Sequence, residues 1–307
     1  MIVLQQMLIF FIVMLAGVEA RRQGFITPAN QKQLSGLVVN LACPALILSG
    51  AFSEGEKIQG EEFFLALAAA IGVFVVMLVV SRILPRVFRY PLPQQNTVGL
   101  FLVFTNMAFM GIPLLEGIFG KAALIYMTVF MIPSNVLFFT YGMQTMRRGQ
   151  PGDGRSLVRR LLNPGVVACF VAIILYFSPL ALPHFLITAI NMVGSLTAPL
   201  AMMLIGATFA DLKWEELYTD KQLLLYSFFK MVLFPVLFLL VLKQFIHNEL
   251  LLGACLVVIA TPVASMVAMI AALYNPDSYL LTAKAIAFTT LISVLTLPLV
   301  ALLTGIG

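Results

Sequence analysis

The sequence predicts an all-α integral membrane protein with ten transmembrane helices, arranged as two inverted repeats of five helices. Its composition, its succession of apolar segments and a weak internal repeat lead to this prediction. The 307 residues are 61% hydrophobic and only 10% charged, with a mean hydropathy of +1.04. A soluble domain carries about 25% charged residues. Lipid rather than water must therefore cover most of the surface.

Ten apolar segments follow one another along the chain, each about as long as the roughly 20 residues that a transmembrane helix needs. They comprise residues 2–20, 34–52, 63–84, 97–119, 122–146, 162–179, 185–210, 221–243, 249–274 and 280–304. The connectors between them are too short to form a signalling domain.

Basic residues are concentrated in alternate connectors, which predicts the orientation of the chain. The richest connector holds five arginines: Arg147, Arg148, Arg155, Arg159 and Arg160. By the positive-inside rule these connectors face the cytoplasm, so we expect a cell (inner) membrane protein with both termini outside the cytoplasm. The net charge of +5 then reflects contact with anionic lipid headgroups, and no nucleic-acid partner is predicted.

The two halves of the chain resemble each other at an offset of about 155 residues. Residues 41–46 around Pro44 resemble residues 196–201 around Pro199, and Thr105-Asn106 aligns with Thr261-Pro262. This offset divides the chain into residues 1–150 and 151–307, with five helices in each part. Because five is an odd number, the two repeats would have opposite orientations in the membrane, as in many secondary transporters.

The fourth segment contains a predicted helix break. Gly111 permits unusual backbone angles, and Pro113 lacks an N–H donor and clashes with the preceding turn. A break at this pair would free backbone groups near Asn106, and such groups are tolerated in a membrane only inside protein or beside a wet cavity. The alternative is a simple proline kink.

The ninth segment contains a matching interruption at Thr261 and Pro262, followed by Ser265. Two crossing broken helices would bring these hydroxyl groups close to Asn106, with half-helix N-termini that suit an anion. Asn40, which precedes Pro44 in the second segment, is also expected near this site. The alternative is that the hydroxyl groups hydrogen-bond within their own helix.

Two ionisable residues lie deep in apolar segments and are candidate charge or coupling residues, because a charge is costly in hydrocarbon. Lys230 in the eighth segment could balance an anionic substrate or shuttle a proton. A bond to a backbone carbonyl is its structural alternative. Glu116, just after Pro113, could be a proton or cation site or could lie at the outer interface.

Motifs for other chemistries are absent from the sequence. There is no Walker-type phosphate loop and no His-Glu-x-x-His pair, and the only histidines are His184 and His247. The aspartates fall in or beside predicted connectors, so an intramembrane protease is not expected. We predict neither an enzyme nor a bound cofactor or metal.

The order of several short motifs resembles the auxin efflux carrier family of membrane transporters. The motifs are Arg21 to Gly24, Leu34 to Val38, Cys43 to Ile47, Asn106 to Leu114, Leu162 to Pro164, Gly194 to Ala207, and Thr261 to Asp277. The resemblance runs nearly end to end. It implies a fold like that of bile-acid sodium symporters, with spans 1, 2, 6 and 7 as a scaffold and spans 3–5 and 8–10 as a moving core.

The resemblance further implies a homodimer that exports organic anions by an elevator mechanism. It places Asn106, Gly111 and Pro113 on one half of the crossing and Pro262 on the other. This sequence departs from the plant carriers in having no charge between residues 63 and 81. A coupling mechanism that depends on a charge in the third span is therefore not expected here.

The functional prediction is a carrier for small carboxylates, either auxin-like or malate- and malonate-like, with H⁺ or Na⁺ as a possible coupling ion. Two alternatives belong to other classes: a non-transporting membrane receptor that keeps the carrier fold, and a membrane enzyme that acts on lipid. The short connectors disfavour the receptor, and the missing catalytic groups disfavour the enzyme.

Overall fold

The computed structural model describes residues 2–52, 60–147, 164–178, 182–210 and 220–307. In chain order the helices of these residues are α1 (Ile2–Arg22), α2 (Pro28–Gly50), α3 (Gly60–Val87), α4 (Leu92–Val103), α5 (Met107–Phe119), α6 (Lys121–Met146), α7 (Pro164–Phe177), α8 (His184–Ala210), α9 (Lys221–Leu242), α10 (Glu249–Ala260), α11 (Ser265–Tyr274) and α12 (Pro276–Thr304).

Seven of these helices in the described part of the chain, namely α1, α2, α3, α6, α8, α9 and α12, are long and apolar enough to cross a membrane. Helices α5, α7 and α10 are shorter and also apolar. The prediction of an all-α protein with several membrane-spanning helices is confirmed. The predicted segments 97–119 and 249–274 each fall on two short helices, α4 with α5 and α10 with α11.

The first interruption lies upstream of the predicted position. The chain leaves the helix at Phe104 (φ −102°, ψ 97°) and Asn106 (φ −78°, ψ 59°). The prediction of a break at Gly111 and Pro113 was wrong, since both residues lie within helix α5. Pro113 is tolerated in the opening turns of α5 because few intrahelical donors are needed there.

The second interruption occurs at Pro262, as the sequence predicts. Helix α10 ends at Ala260, and Thr261 (φ −68°, ψ 154°) and Ala264 (φ −69°, ψ 134°) are extended. Helix α11 then begins at Ser265.

Three helices contain a π-helical turn just before a proline. These turns are Val38–Ala42 before Pro44, Met107–Gly111 before Pro113, and Phe229–Leu233 before Pro235. A proline cannot donate to the preceding turn, and a wider turn relieves the clash between its ring and the backbone. Each turn therefore widens a helix at a position that the sequence marks with proline.

The short helices α4 and α10 form the centre of the molecule. Every residue from Thr97 to Val103 and from Leu251 to Ala260 is buried. By contrast, the outer helices expose large apolar side chains, such as Ile12 (65% exposed) and Leu302 (78% exposed). Exposed apolar surface on the outside, around a packed interior, is what contact with lipid favours. The two interruptions are thus enclosed by the other helices.

Packing between helices joins distant parts of the chain. Helix α1 runs along α8, and α2 packs against α7 and α8. Helix α3 packs against α4 and α6, while α12 packs against α11 and α9. The interruptions between α4 and α5 and between α10 and α11 meet at the centre of this arrangement.

Candidate functional site

The two interrupted segments pair as a short antiparallel bridge. Thr105 lies opposite Val263. The N–H of Asn106 donates to the carbonyl of Pro262 (2.8 Å), and the N–H of Ala264 donates to the carbonyl of Phe104 (2.9 Å). These bonds satisfy backbone groups that no helix could satisfy and that hydrocarbon would penalise. We call residues 104–106 and 262–264 the crossing.

The bridge has local twofold symmetry about the Thr105–Val263 pair. Under this symmetry Asn106 corresponds to Ala264, because each donates its N–H to the other segment at the same place. The offset between these positions is slightly larger than the one that aligned Thr105-Asn106 with Thr261-Pro262. The crossing therefore carries an amide side chain on one segment and only a methyl group on the other.

A hydroxyl group from the first segment replaces a donor that the second segment lacks. In a regular helix the carbonyl of Val258 would accept the N–H of the residue four positions later, which is Pro262 and has none. The hydroxyl of Thr105 donates to this carbonyl instead, at 2.8 Å. Thr105 thus satisfies the end of α10 from across the crossing.

The first segment receives similar help from α2. In the π-helical register, Ile112 donates to Met107, so Pro113 would be the donor for the carbonyl of Ala108. The thiol of Cys43 donates to that carbonyl at 3.5 Å. Cys43 had been predicted only to fill apolar space, and no signal in the sequence connects it with Pro113.

The second segment is also bound by α12. The hydroxyl of Thr289 accepts the N–H of Val263 at 3.2 Å and donates to the carbonyl of Ala285 in its own helix at 2.7 Å. The sequence did not single out Thr289, because its pattern matches any threonine that bonds within a helix. Only its position opposite the crossing shows its role.

Asn106 presents an uncommitted amide group at the crossing. Its backbone N–H is bonded to Pro262, and its carbonyl accepts the N–H groups of Met110 and Gly111. Its side chain is only 4% exposed, and in the described part of the chain no hydrogen bond reaches its amide. A buried amide without a partner is costly, so this position favours a ligand that can bond to it.

Two half-helices begin beside Asn106. Helix α5 starts at Met107 and α11 starts at Ser265, each directly after the crossing. The N-terminus of a helix carries partial positive charge and unpaired N–H groups. The arrangement therefore directs two positive helix ends toward the region of the Asn106 amide.

Two cavities, each of about 220 Å³, flank the crossing. The first, which we call the amide cavity, is lined by Gln31, Ser35, Asn106, Phe109, Leu204, Ile205, Thr208, Phe209, Ser265, Ala268, Tyr279, Ala283, Ile286, Ala287 and Thr290. The second, which we call the aromatic cavity, is lined by Val39, Asn40, Cys43, Ile47, Phe104, Thr105, Met107, Ala108, Met131, Ser134, Asn135, Phe138, Phe139, Gly165, Ala264 and Met266. Within the described residues, Lys, Arg, Asp and Glu are absent from both linings.

The predicted site residues separate into two groups. Asn106 and Ser265 meet at the amide cavity, and Asn40 lines the aromatic cavity, where its amide donates to the carbonyl of Gly36 at 2.8 Å. Thr261 and Pro262 are buried behind the crossing and line neither cavity. They shape the backbone there without facing the space that a ligand could fill.

Gly111 and Pro113 also act through the backbone. A Cβ atom on Gly111 would lie 2.9 Å from Cγ1 of Val257 and 3.0 Å from Cε of Met127. Gly111 therefore permits the close approach of α5 to α10. Pro113 is buried in the next turn of α5. Neither residue lines a cavity.

Lys230 is fully buried in α9 and lines neither cavity. Its ammonium group donates to the carbonyl of Thr261 and lies 3.6 Å from the sulfur of Met231. Glu116 lies near the end of α5, half-buried and away from both cavities. The structure therefore brings Lys230, but not Glu116, to the crossing.

The chain is similar to known membrane transporters over nearly its whole length. The sequence profile of the family described as "Membrane transport protein" matches residues 2–155 and 153–301. An uncharacterized transporter of Methanocaldococcus jannaschii is 25% identical over 311 residues, covering 97% of this chain and 98% of that relative. Both similarities include both half-helix pairs.

Proposed function

Because the chain belongs to the membrane transport protein family, that of the auxin efflux carriers, we propose that it is a secondary transporter for small organic anions. The proposed substrates are carboxylates, either auxin-like or malate- and malonate-like. The proposed mechanism is alternating access of the elevator type, in a ten-span protein built from two inverted repeats.

The observation that carries this proposal is the Asn106 amide at the start of α5. It is buried, lacks a hydrogen-bond partner in the described residues, and lines a cavity together with Ser265. A carboxylate in this cavity would accept hydrogen bonds from the amide and the hydroxyl group. The positive ends of α5 and α11 would stabilise its charge.

The character of the cavities supports a substrate with both a charged and an apolar part. No fixed charge of the described residues lines them, so the helix ends and neutral donors must hold the anion. The remaining lining is mostly aliphatic and aromatic, including Phe109 and Phe209 in the amide cavity. This combination favours a small carboxylate with an apolar body.

The elevator proposal is supported by where the cavities lie. The amide cavity is bounded by α2 and α8 on one side and by α5, α11 and α12 on the other. The first two helices belong to the proposed scaffold and the last three to the proposed core. A cavity between two packed groups of helices is where relative movement would carry a ligand across the membrane.

The cavities also suggest which side is open. The amide cavity approaches the start of α2 at Gln31, the end of α8 at Phe209 and the start of α12 at Tyr279. By the positive-inside rule these helix ends face the cytoplasm. We therefore propose that this conformation receives substrate from the cytoplasm, in a protein of the cell membrane with both termini outside.

The test is ligand-dependent thermal stability of the purified protein with a panel of mono- and dicarboxylates that includes indole acetate. A ligand that binds only the folded protein raises its melting temperature. Asn106→Ala should weaken binding about 10- to 100-fold, since a hydrogen bond to a charged group contributes about 1.5–3 kcal/mol. Asn191→Ala is the matched control, because Asn191 lies away from the crossing and accepts a bond from Lys121.

Flux into proteoliposomes distinguishes a carrier from a receptor. Uptake of the stabilising anion, lost in Asn106→Ala and kept in Asn191→Ala, is the expected result. Binding without flux would instead favour the receptor alternative. Normal binding by Asn106→Ala would overturn the assignment of the site.

A further inference from the structure

Lys230 is the only Lys, Arg, Asp or Glu in the described part of the chain whose side chain is classed as buried, and its exposure is 0%. It lies in the π-helical turn Phe229–Leu233 of α9. Its ammonium contacts are the carbonyl of Thr261 and the thioether of Met231. No carboxylate of the described residues forms an ion pair with it, so an acidic side chain does not explain its position.

The acceptor of this bond belongs to the broken end of a helix. Thr261 is the first residue after α10, where the carbonyl groups of the last turn carry partial negative charge. The neighbouring carbonyls of Val258 and Pro262 already accept bonds from Thr105 and Asn106. The carbonyl of Thr261 accepts its bond from Lys230, which makes the ammonium group part of the crossing.

A second oxygen atom lies unused on the same residue. The hydroxyl of Thr261 is fully buried, and no hydrogen bond reaches it. The carbonyl and hydroxyl oxygens of Thr261 thus belong to the negative end of a broken helix. Unwound carbonyl groups and half-helix C-termini are the groups that bind coupling cations in broken-helix transporters.

We propose that the ammonium group of Lys230 is a resident cation, which occupies the position that a sodium ion would otherwise fill at the broken end of α10. It holds Thr261 in place and supplies a fixed positive charge behind the crossing, while Asn106 faces the ligand. Anion binding and transport, on which this inference rests through the proposed function, therefore proceed without sodium. Lys230 is a positioning residue, since it lines neither cavity.

The proposal is tested by replacing the resident cation and supplying another. Lys230→Ala leaves a space beside Thr261 that methylammonium or sodium can enter. In choline chloride buffer this variant should melt at a lower temperature than the wild type. Methylammonium chloride or sodium chloride should raise its melting temperature and leave that of the wild type unchanged. This readout requires no substrate, so it remains informative if the proposed function fails.

Lys243→Ala is the matched control. Lys243 also donates to backbone carbonyls at a helix end, those of Thr304 and Gly305 at 2.9 and 3.5 Å, but it lies away from the crossing. Its variant should show no rescue by methylammonium or sodium. If Lys230→Ala does not fold, Lys230→Gln keeps a donor for Thr261 without the charge and should bind the anion about tenfold more weakly than the wild type.

Anion binding by the wild type supplies the final arm. Equal stabilisation by the anion in choline and in sodium buffer is expected. A sodium requirement in the wild type would overturn the proposal, as would a Lys230→Ala variant whose stability ignores every cation. Cation rescue of Lys230→Ala together with no anion binding by the wild type would support the resident cation and count against the anion carrier.

Discussion

Backbone meets backbone closely at two places in this molecule, and the two contacts are built in opposite ways. Between α1 and α8, a Cβ on Gly17 would lie 2.1 Å from the carbonyl oxygen of Met203, and one on Gly206 would lie 1.9 Å from that of Met14. At the crossing, the approach is made by hydrogen bonds between Asn106 and Pro262 and between Ala264 and Phe104.

The difference shows how each region can behave. Two continuous helices packed through glycines have no spare polar groups, so their contact is rigid and depends on shape. The crossing has interrupted helices, and its peptide groups are satisfied by Thr105, Cys43 and Lys230 from elsewhere in the chain. A ligand can add to the second contact but not to the first.

The largest effect is expected from Gly206→Ala at the glycine contact. The added methyl group would meet backbone rather than a flexible side chain, so the helices must separate, at a cost of about 3 kcal/mol or more. A large fall in melting temperature, or loss of folded protein, is expected. Gly72→Ala is the control, because nothing lies within 4 Å of its added methyl group. Equal melting temperatures for the two variants would contradict the comparison.

The next largest effect is expected at the backbone bridge from Ala264→Pro. The φ angle of −69° already suits proline. The substitution therefore removes mainly the N–H that bonds to Phe104, leaving a buried carbonyl unsatisfied at a cost of about 1–3 kcal/mol. Thermal unfolding measures the loss. Ala264→Ser, which keeps the N–H, should unfold close to the wild-type temperature, and a similar loss in both variants would refute this reading.

A smaller loss is expected from Thr105→Val, which keeps the shape of the side chain and removes its hydroxyl. The carbonyl of Val258 then loses the donor that replaces Pro262, for about 1 kcal/mol. Thr128→Val is matched to it, since Thr128 donates to Leu124 within its own helix. Denaturation of both variants should show the greater loss for Thr105→Val, and the reverse order would remove Thr105 from the crossing.

The smallest effect is expected from Thr261→Val, even though Thr261 lies in the same crossing. Its hydroxyl is buried without a partner, so an apolar group of the same shape removes an unsatisfied polar atom. The melting temperature should be unchanged or slightly higher. A clear loss of stability would show that this hydroxyl has a partner in the folded protein.

The sequence predicted the general position of the site but not its connections. Asn106 and Ser265 were recognised because polar groups beside a proline or glycine in an apolar segment are conspicuous. The break was assigned to Gly111 and Pro113, although proline is accommodated early in a helix and the chain opens at Phe104 instead. Local residue preferences could not distinguish these positions, because the pairing with residues 262–264 decides between them.

The sequence by itself determined that the protein lies in lipid, because that follows from a composition of 61% hydrophobic and 10% charged residues. It also determined the second interruption, since Pro262 cannot continue a helix. Only the tertiary structure decided which groups satisfy the freed carbonyls. The bonds from Cys43 to Ala108 and from Thr105 to Val258 join residues 65 and 153 positions apart. Such partners depend on how helices pack, and periodicity along one segment contains no information about the segment that will face it.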